Sequence, residues 1–188
     1  MSEQFKRMET CIRAGALSDD ASFHLLLTAV ADADWQVRYA AVVALGDRAD
    51  PAALDALLSV LAYEDAAPLY SQPAEFASLP AGGNTAPQCA FPAGTSQETI
   101  DAWHRRGRLK QALCTTFGRI GSADPRVLAA LQRYAVDQAE DYAVRAAANK
   151  ALGLIGDQSS LPAVTQAMKD QEFCTRCEAT KAHARLAG

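Results

Sequence analysis

The feature that most limits what this chain can fold into is a unit that returns. Residues 32–61 read DADWQVRYAAVVALGDRADPAALDALLSVL, and a paler copy, EDYAVRAAANKALGLIGDQSSLPAVTQAM, stands at 140–168. In the first copy Val37, Ala40, Ala41, Ala44 and Leu45 recur at the spacing of one helix face. Gly46 is expected to end that helix, since glycine accepts the left-handed cap conformation cheaply. Asp50-Pro51 then restarts the chain as an N-cap with proline in the first turn. Leu54, Leu57, Leu58 and Leu61 form a second stripe. The unit is a helical hairpin, one helix lined with small residues and one with leucines.

The same design recurs. Leu109, Ala112, Leu113, Thr116 and Phe117 repeat the first stripe up to Gly118, and Asp124-Pro125 opens a second stripe of Val127, Ala130, Leu131 and Tyr134. Val144, Ala147, Ala148, Ala151 and Leu152 repeat it up to Gly153, followed by Leu161, Val164 and Met168. Toward the N-terminus a leucine-type helix carries Phe23, Leu26, Leu27 and Val30, started by Ser18 or Asp19. The helix before it is expected to use Phe5, Met8 and Ile12 as its apolar face. Residues 172–186 look like a first helix without a partner. Basic residues mark the register at Arg7, Arg38, Lys110, Arg145 and Arg176, with separations of 31, 72, 35 and 31 residues. Three intervals equal one hairpin and the fourth is a hairpin plus an excursion. No hairpin buries its stripe alone, so the hairpins must stack into a right-handed curved solenoid or a compact arc.

The strings DADWQVRYAAVVALG and DYAVRAAANKALGLIGD resemble the HEAT-like repeats of the phycobilisome-lyase type, whose pattern runs D-x-x-V-R-x-x-A-x-x-A-L-G-x-x-G-D. The likeness covers 34–61 and 108–168. It implies one all-α domain over 1–188, an α-α superhelix of about four hairpins plus a terminal helix, interrupted by a long loop. As to function, it implies a scaffold or adaptor that holds a protein partner. It also implies a second class, a bilin-lyase-like enzyme or chromophore chaperone acting on phycobiliproteins, and a remote third, a DNA glycosylase.

An acid lies four residues before most register cations: Glu3–Arg7, Asp34–Arg38, Asp141–Arg145 and Glu172–Arg176. That order suits an i,i+4 ion pair. The third unit breaks the rule, because Arg106 precedes Lys110 within WHRRGRLK, residues 103–110. The same unit follows the excursion at 62–94, where prolines 68, 73, 80, 87 and 92 forbid a long helix while Tyr63, Tyr70, Phe76 and Phe91 supply apolar bulk. TSQE at 95–98 matches a capping box, so a long helix is expected from Ser96 to Gly118. The expected contact surface for a partner, one with an acidic patch, is Trp103, Arg105, Arg106 and Arg108 with Tyr70 and Phe76. Trp35, Arg38 and Tyr39 come second, as aromatic and arginine anchors.

The remaining motifs carry no chemistry. Cys174 and Cys177 form a C-x-x-C inside a helix with at most His183 nearby, short of a zinc set. His24, His104 and His183 sit on separate units, none followed by a glutamate, so the iron-binding His-Glu pairs of the deoxyhypusine-hydroxylase members are missing. No phosphate loop, dinucleotide fingerprint or nucleophile elbow occurs. No catalyst, metal or cofactor is therefore expected. A net charge of −4 disfavours nucleic acid, and with it the glycosylase reading, for which Asp34 with Trp35 or Asp101 with Trp103 would have to serve. The N-terminal residues lack the apolar stretch of a signal peptide, and the five cysteines form no disulfide framework. The expectation is a cytoplasmic protein without a membrane span.

Overall fold

The computed structural model describes residues 2–66, 77–78, 89–90 and 94–188. Among them are nine α-helices: α1 (Glu3–Gly15), α2 (Asp20–Ala29), α3 (Trp35–Arg48), α4 (Leu54–Ala66), α5 (Gln97–Ile120), α6 (Pro125–Val136), α7 (Tyr142–Ile155), α8 (Leu161–Ala167) and α9 (Phe173–Ala187). Short 3-10 turns, Pro51–Ala53 and Gln158–Ser160, lead into α4 and α8. A two-residue antiparallel pairing, β1 (Ala77–Ser78) with β2 (Cys89–Ala90), is the strand structure present among the described residues. The fold is the expected all-α stack of four hairpins and a last helix.

The helices form two layers. The odd-numbered helices pack in chain order, α1 on α3, α3 on α5, α5 on α7 and α7 on α9, and each even-numbered helix packs on the odd-numbered helix that follows it. The core runs between the layers. Val37, Ala40, Ala41, Ala44 and Leu45 are buried on α3, and Val144, Ala147, Ala148, Ala151 and Leu152 on α7, as the two stripes require. The helices start where expected. Asp19, Asp50 and Asp124 each accept a backbone N–H of the following turn. Ser96, rather than Thr95, caps α5 by accepting from Thr99.

Three expectations about helix ends are corrected. α3 runs past Gly46 to Arg48, α5 past Gly118 to Ile120, and α7 past Gly153 to Ile155. The left-handed caps come three residues later, at Ala49, Gly121 and Gly156. The interior glycines serve close approach instead. A Cβ built on Gly46 would lie 2.6 Å from the Thr116 hydroxyl, on Gly118 2.9 Å from the Ala151 Cα, and on Gly153 2.7 Å from the Ala182 Cα. α5 thus presses backbone to backbone on α7, and α7 on α9, which small residues alone permit, while α3 meets the Thr116 side chain of α5. A fourth correction concerns the excursion. Residues 62–66 belong to α4, so the break from the repeat begins after Ala66. A fifth concerns α1, which buries Cys11 and Ala14 while Phe5 and Ile12 stand exposed.

Ala49 holds φ 52° with a side chain that disfavours it, whereas the equivalent caps are glycine. Ala49→Gly is therefore expected to stabilise the protein by about 0.5–1 kcal/mol, the relief of left-handed strain exceeding the added freedom of the unfolded chain. A urea midpoint that falls would contradict it.

Candidate functional site

The register cations do not pair with the acids four residues before them. Asp34 and Asp141 are occupied as N-caps, accepting from the Gln36 and Ala143 amides at 2.9 and 2.8 Å. All but Arg176, whose helix has no hairpin partner among the described residues, reach instead to the far end of their own hairpin. Arg7 donates to Asp32 at 2.9 Å, Arg38 to Glu64 at 3.0 Å and Arg145 to Asp170 at 2.8 and 3.1 Å. Most also cap the carbonyls just before their helix: Arg38 those of Asp32 and Ala33, Arg145 that of Glu140, Arg176 those of Asp170 and Gln171. The ladder latches each hairpin shut from inside, because a guanidinium has enough donors to serve a carboxylate and two carbonyls together.

The third hairpin doubles this latch. Lys110 is fully buried and meets both Asp65 and Glu140. Arg106, also buried, donates to Glu140 at 2.8 Å and lies 3.7 Å from Asp65. Tyr134 donates its hydroxyl to Asp65 at 2.6 Å, with the Lys110 ammonium 4.5 Å from its ring centre. Arg133 reaches the same carboxylate from the surface. Two buried cations thus face two carboxylates, and the network joins the end of α4 to α5 and to the end of α6.

Burial alone would raise Asp65, but hydrogen bonds from Lys110, Tyr134 and Arg133 outweigh it and hold its carboxyl below the usual range. Asp170 is likewise pushed up by burial and pulled further down by Arg145, the Glu172 amide and Gln138. Both groups ionise more readily folded than unfolded, so the unfolded chain binds protons first as pH falls. Their stabilisation is complete above the ordinary aspartate value of 3.8 and is lost as pH drops through the lower folded values. Asp141, raised by burial, works in the opposite sense and offsets part of the loss. The urea-unfolding free energy is expected to decline below pH 3.8, less steeply in Asp170→Asn; a level profile would contradict the ionised network. The same burial pushes the Cys114 thiol up to about 12, which leaves it chemically inert.

The residues singled out in the sequence divide between two faces of α5. Trp103 is buried, edge-on to His104 at 5.2 Å, and Arg106 is committed to the network. Arg105 and Arg108 are exposed. Arg105 donates its Nε to the Asp101 carbonyl at 3.2 Å, and among the described residues its terminal nitrogens have no partner. Arg108 has none at all among them. Trp35, half-buried at the start of α3, stands across from both and meets Tyr39 edge-to-face at 6.4 Å. One cleft of about 310 Å³ lies between α3 and α5, walled by Trp35, Arg38, Glu64, Arg105 and Leu109. A neighbour of about 400 Å³ is walled by Trp35, Asp101, His104, Arg105 and Arg108. Tyr70 and Phe76 lie outside the described residues.

Sequence reasoning missed Asp65, Glu140 and Tyr134. A signal was present. With Arg106 in an acid's place and Lys110 in the register position, the third hairpin has a cation too many, and the Glu64-Asp65 pair holds an acid more than the second hairpin needs.

Among the described residues no three His, Cys, Asp or Glu side chains converge as metal ligands, and no helix is long and apolar enough to cross a membrane. The family described as HEAT repeats matches residues 5–74 and 100–184. No curated protein matches the chain.

Proposed function

The chain belongs to the HEAT-repeat family, and from that premise we propose that it is a non-catalytic scaffold or adaptor whose partner sits on the edge formed by the starts of α3 and α5. One observation carries the reading. Arg105 and Arg108 point unspent donors into open clefts on either side of Trp35, while the register arginines are consumed in latching hairpins. Fixed helices hold these groups in place, so little order is lost when a partner docks. We place the protein in the cytoplasm, since Cys11, Cys114, Cys174 and Cys177 stand as free thiols.

The test is affinity capture from the source lysate with wild-type bait and with Arg105→Glu/Arg108→Glu. Retention of one stoichiometric protein by the first and its loss by the second supports the surface; an unchanged yield rejects it. The phycobilisome-lyase type of repeat would instead make the same arginines hold the propionates of a bilin beside Trp35. Mixing the protein with a bilin decides that reading, which fails if the absorption band does not shift.

A further inference from the structure

The adaptor surface extends into a third cleft of different chemistry. Where α6 and α8 pack together, α2 and α4 stand apart. The gap is a cleft of about 400 Å³ lined by Leu27, Val30, Ala56, Val60 and Tyr63, with Asp32, Ala33 and Arg38 at one end. Val30 and Val60 are buried at its floor, and Tyr63 rises beside it 65% exposed. The lining is mostly apolar, and an open apolar recess of this size is where a large side chain gains from leaving water.

This recess adjoins the basic clefts. Ala33 and Arg38 wall both the apolar cleft and the one between α3 and α5. Trp35 and Arg105 wall both the latter and the cleft that ends at Arg108. Arg38 forms the septum, with its guanidinium bonded to Glu64, Asp32 and Ala33 and its carbon 5.5 Å from the centre of the Tyr63 ring. It acts as wall rather than as contact. The track therefore runs from an apolar seat, past Trp35, to two guanidinium groups with free N–H donors.

We propose that this track binds a linear segment of a partner protein that carries a large apolar residue beside a run of acidic residues. The apolar side chain enters the α2–α4 cleft, and the carboxylates accept from Arg105 and Arg108, whose fork geometry suits them. The local cationic charge stands on a chain of net charge −4, so the rest of the surface repels an acidic segment and leaves this edge as its place of attachment. The inference rests on the adaptor reading, and narrows the partner to one chemistry.

A random-peptide phage library selected on the full chain tests it. Enriched peptides are expected to carry Phe, Leu or Trp within a few residues of a run of Asp or Glu, in either order. By fluorescence anisotropy their synthetic, labelled versions should weaken about tenfold or more with Arg105→Ala/Arg108→Ala and again with Ser59→Trp, which fills the apolar cleft from an exposed position on α4. Unchanged circular dichroism shows that both variants fold. Raised salt should weaken the first interaction more than the second. Enrichment of basic or uncharged peptides, or of acidic peptides indifferent to both variants, overturns the track and leaves the adaptor reading standing. A selection that enriches nothing overturns the track, and the affinity capture then decides the adaptor reading alone.

Discussion

Gly153→Val is expected to destabilise the protein by about 3 kcal/mol, and Gly153→Ala to destabilise it as well, against the usual sign. In an exposed helix interior, alanine is favoured over glycine by about 1 kcal/mol. Here the added Cβ falls 2.7 Å from the Ala182 Cα and 2.8 Å from its Cβ, so α7 and α9 must separate along their length. Overpacking of that kind exceeds the propensity gain. Gly118 makes the same approach to Ala151, at 2.9 Å. Gly46 differs, because what its Cβ would meet first is the Thr116 hydroxyl, which bonds the Val42 carbonyl at 3.0 Å. Its alanine variant therefore breaks a buried hydrogen bond where the others move backbone. Urea unfolding of Gly153→Ala settles the matter: a gain in midpoint would refute the backbone contact.

Lys110→Met should lose about 3–5 kcal/mol, the range for removing one partner of a buried ion pair. The side chains of Glu140 and Asp65 are 7% and 22% exposed, so neither carboxylate can turn fully to water once the ammonium is gone. Arg106 retains Glu140 but stands 3.7 Å from Asp65, too far to replace the lost bond. Neutralising Asp65 in the same chain, with Asp65→Asn, should restore part of the loss, since it removes the excess carboxylate while Glu140 keeps buried Arg106 as its partner. Arg126→Ala is the contrast. Its pairs with Asp124 and Asp55 are exposed, and its removal should change stability by less than about 0.5 kcal/mol. Denaturant unfolding of these variants checks the ordering; Lys110→Met no worse than Arg126→Ala would reject the network's role.

The repeat was legible because a hairpin's needs are local: a stripe at helical spacing, an Asp-Pro restart, a small-residue face. Gly46, Gly118 and Gly153 were misread because glycine answers two requirements, a left-handed cap and a close approach, and a single helix does not show which applies. The neighbour decides, and it lies in another repeat. The acid-to-arginine spacing misled for a related reason. An aspartate just before a helix has a nearer partner in its own first turn, so Asp34 and Asp141 are engaged before Arg38 or Arg145 can reach them. At the candidate site the sequence grouped Trp103 and Arg106 with Arg105 and Arg108. A helical wheel separates them, because 103, 106, 107 and 110 share the face of Leu113 and point inward, whereas 101, 104, 105 and 108 point out. The clefts themselves were not legible, since they lie between helices far apart in the chain.

The joint between α4, α5 and α6 bears on how the chain can be divided. On one side of it stand Gly46 and Asp65, on the other Thr116, Lys110 and Tyr134. A backbone scission anywhere between Ala66 and Gly94 leaves two pieces, each holding whole hairpins and one half of a matched surface. Shape and charge are both complementary across it, so the pieces have what they need to find each other and reassemble, as the halves of a split reporter do.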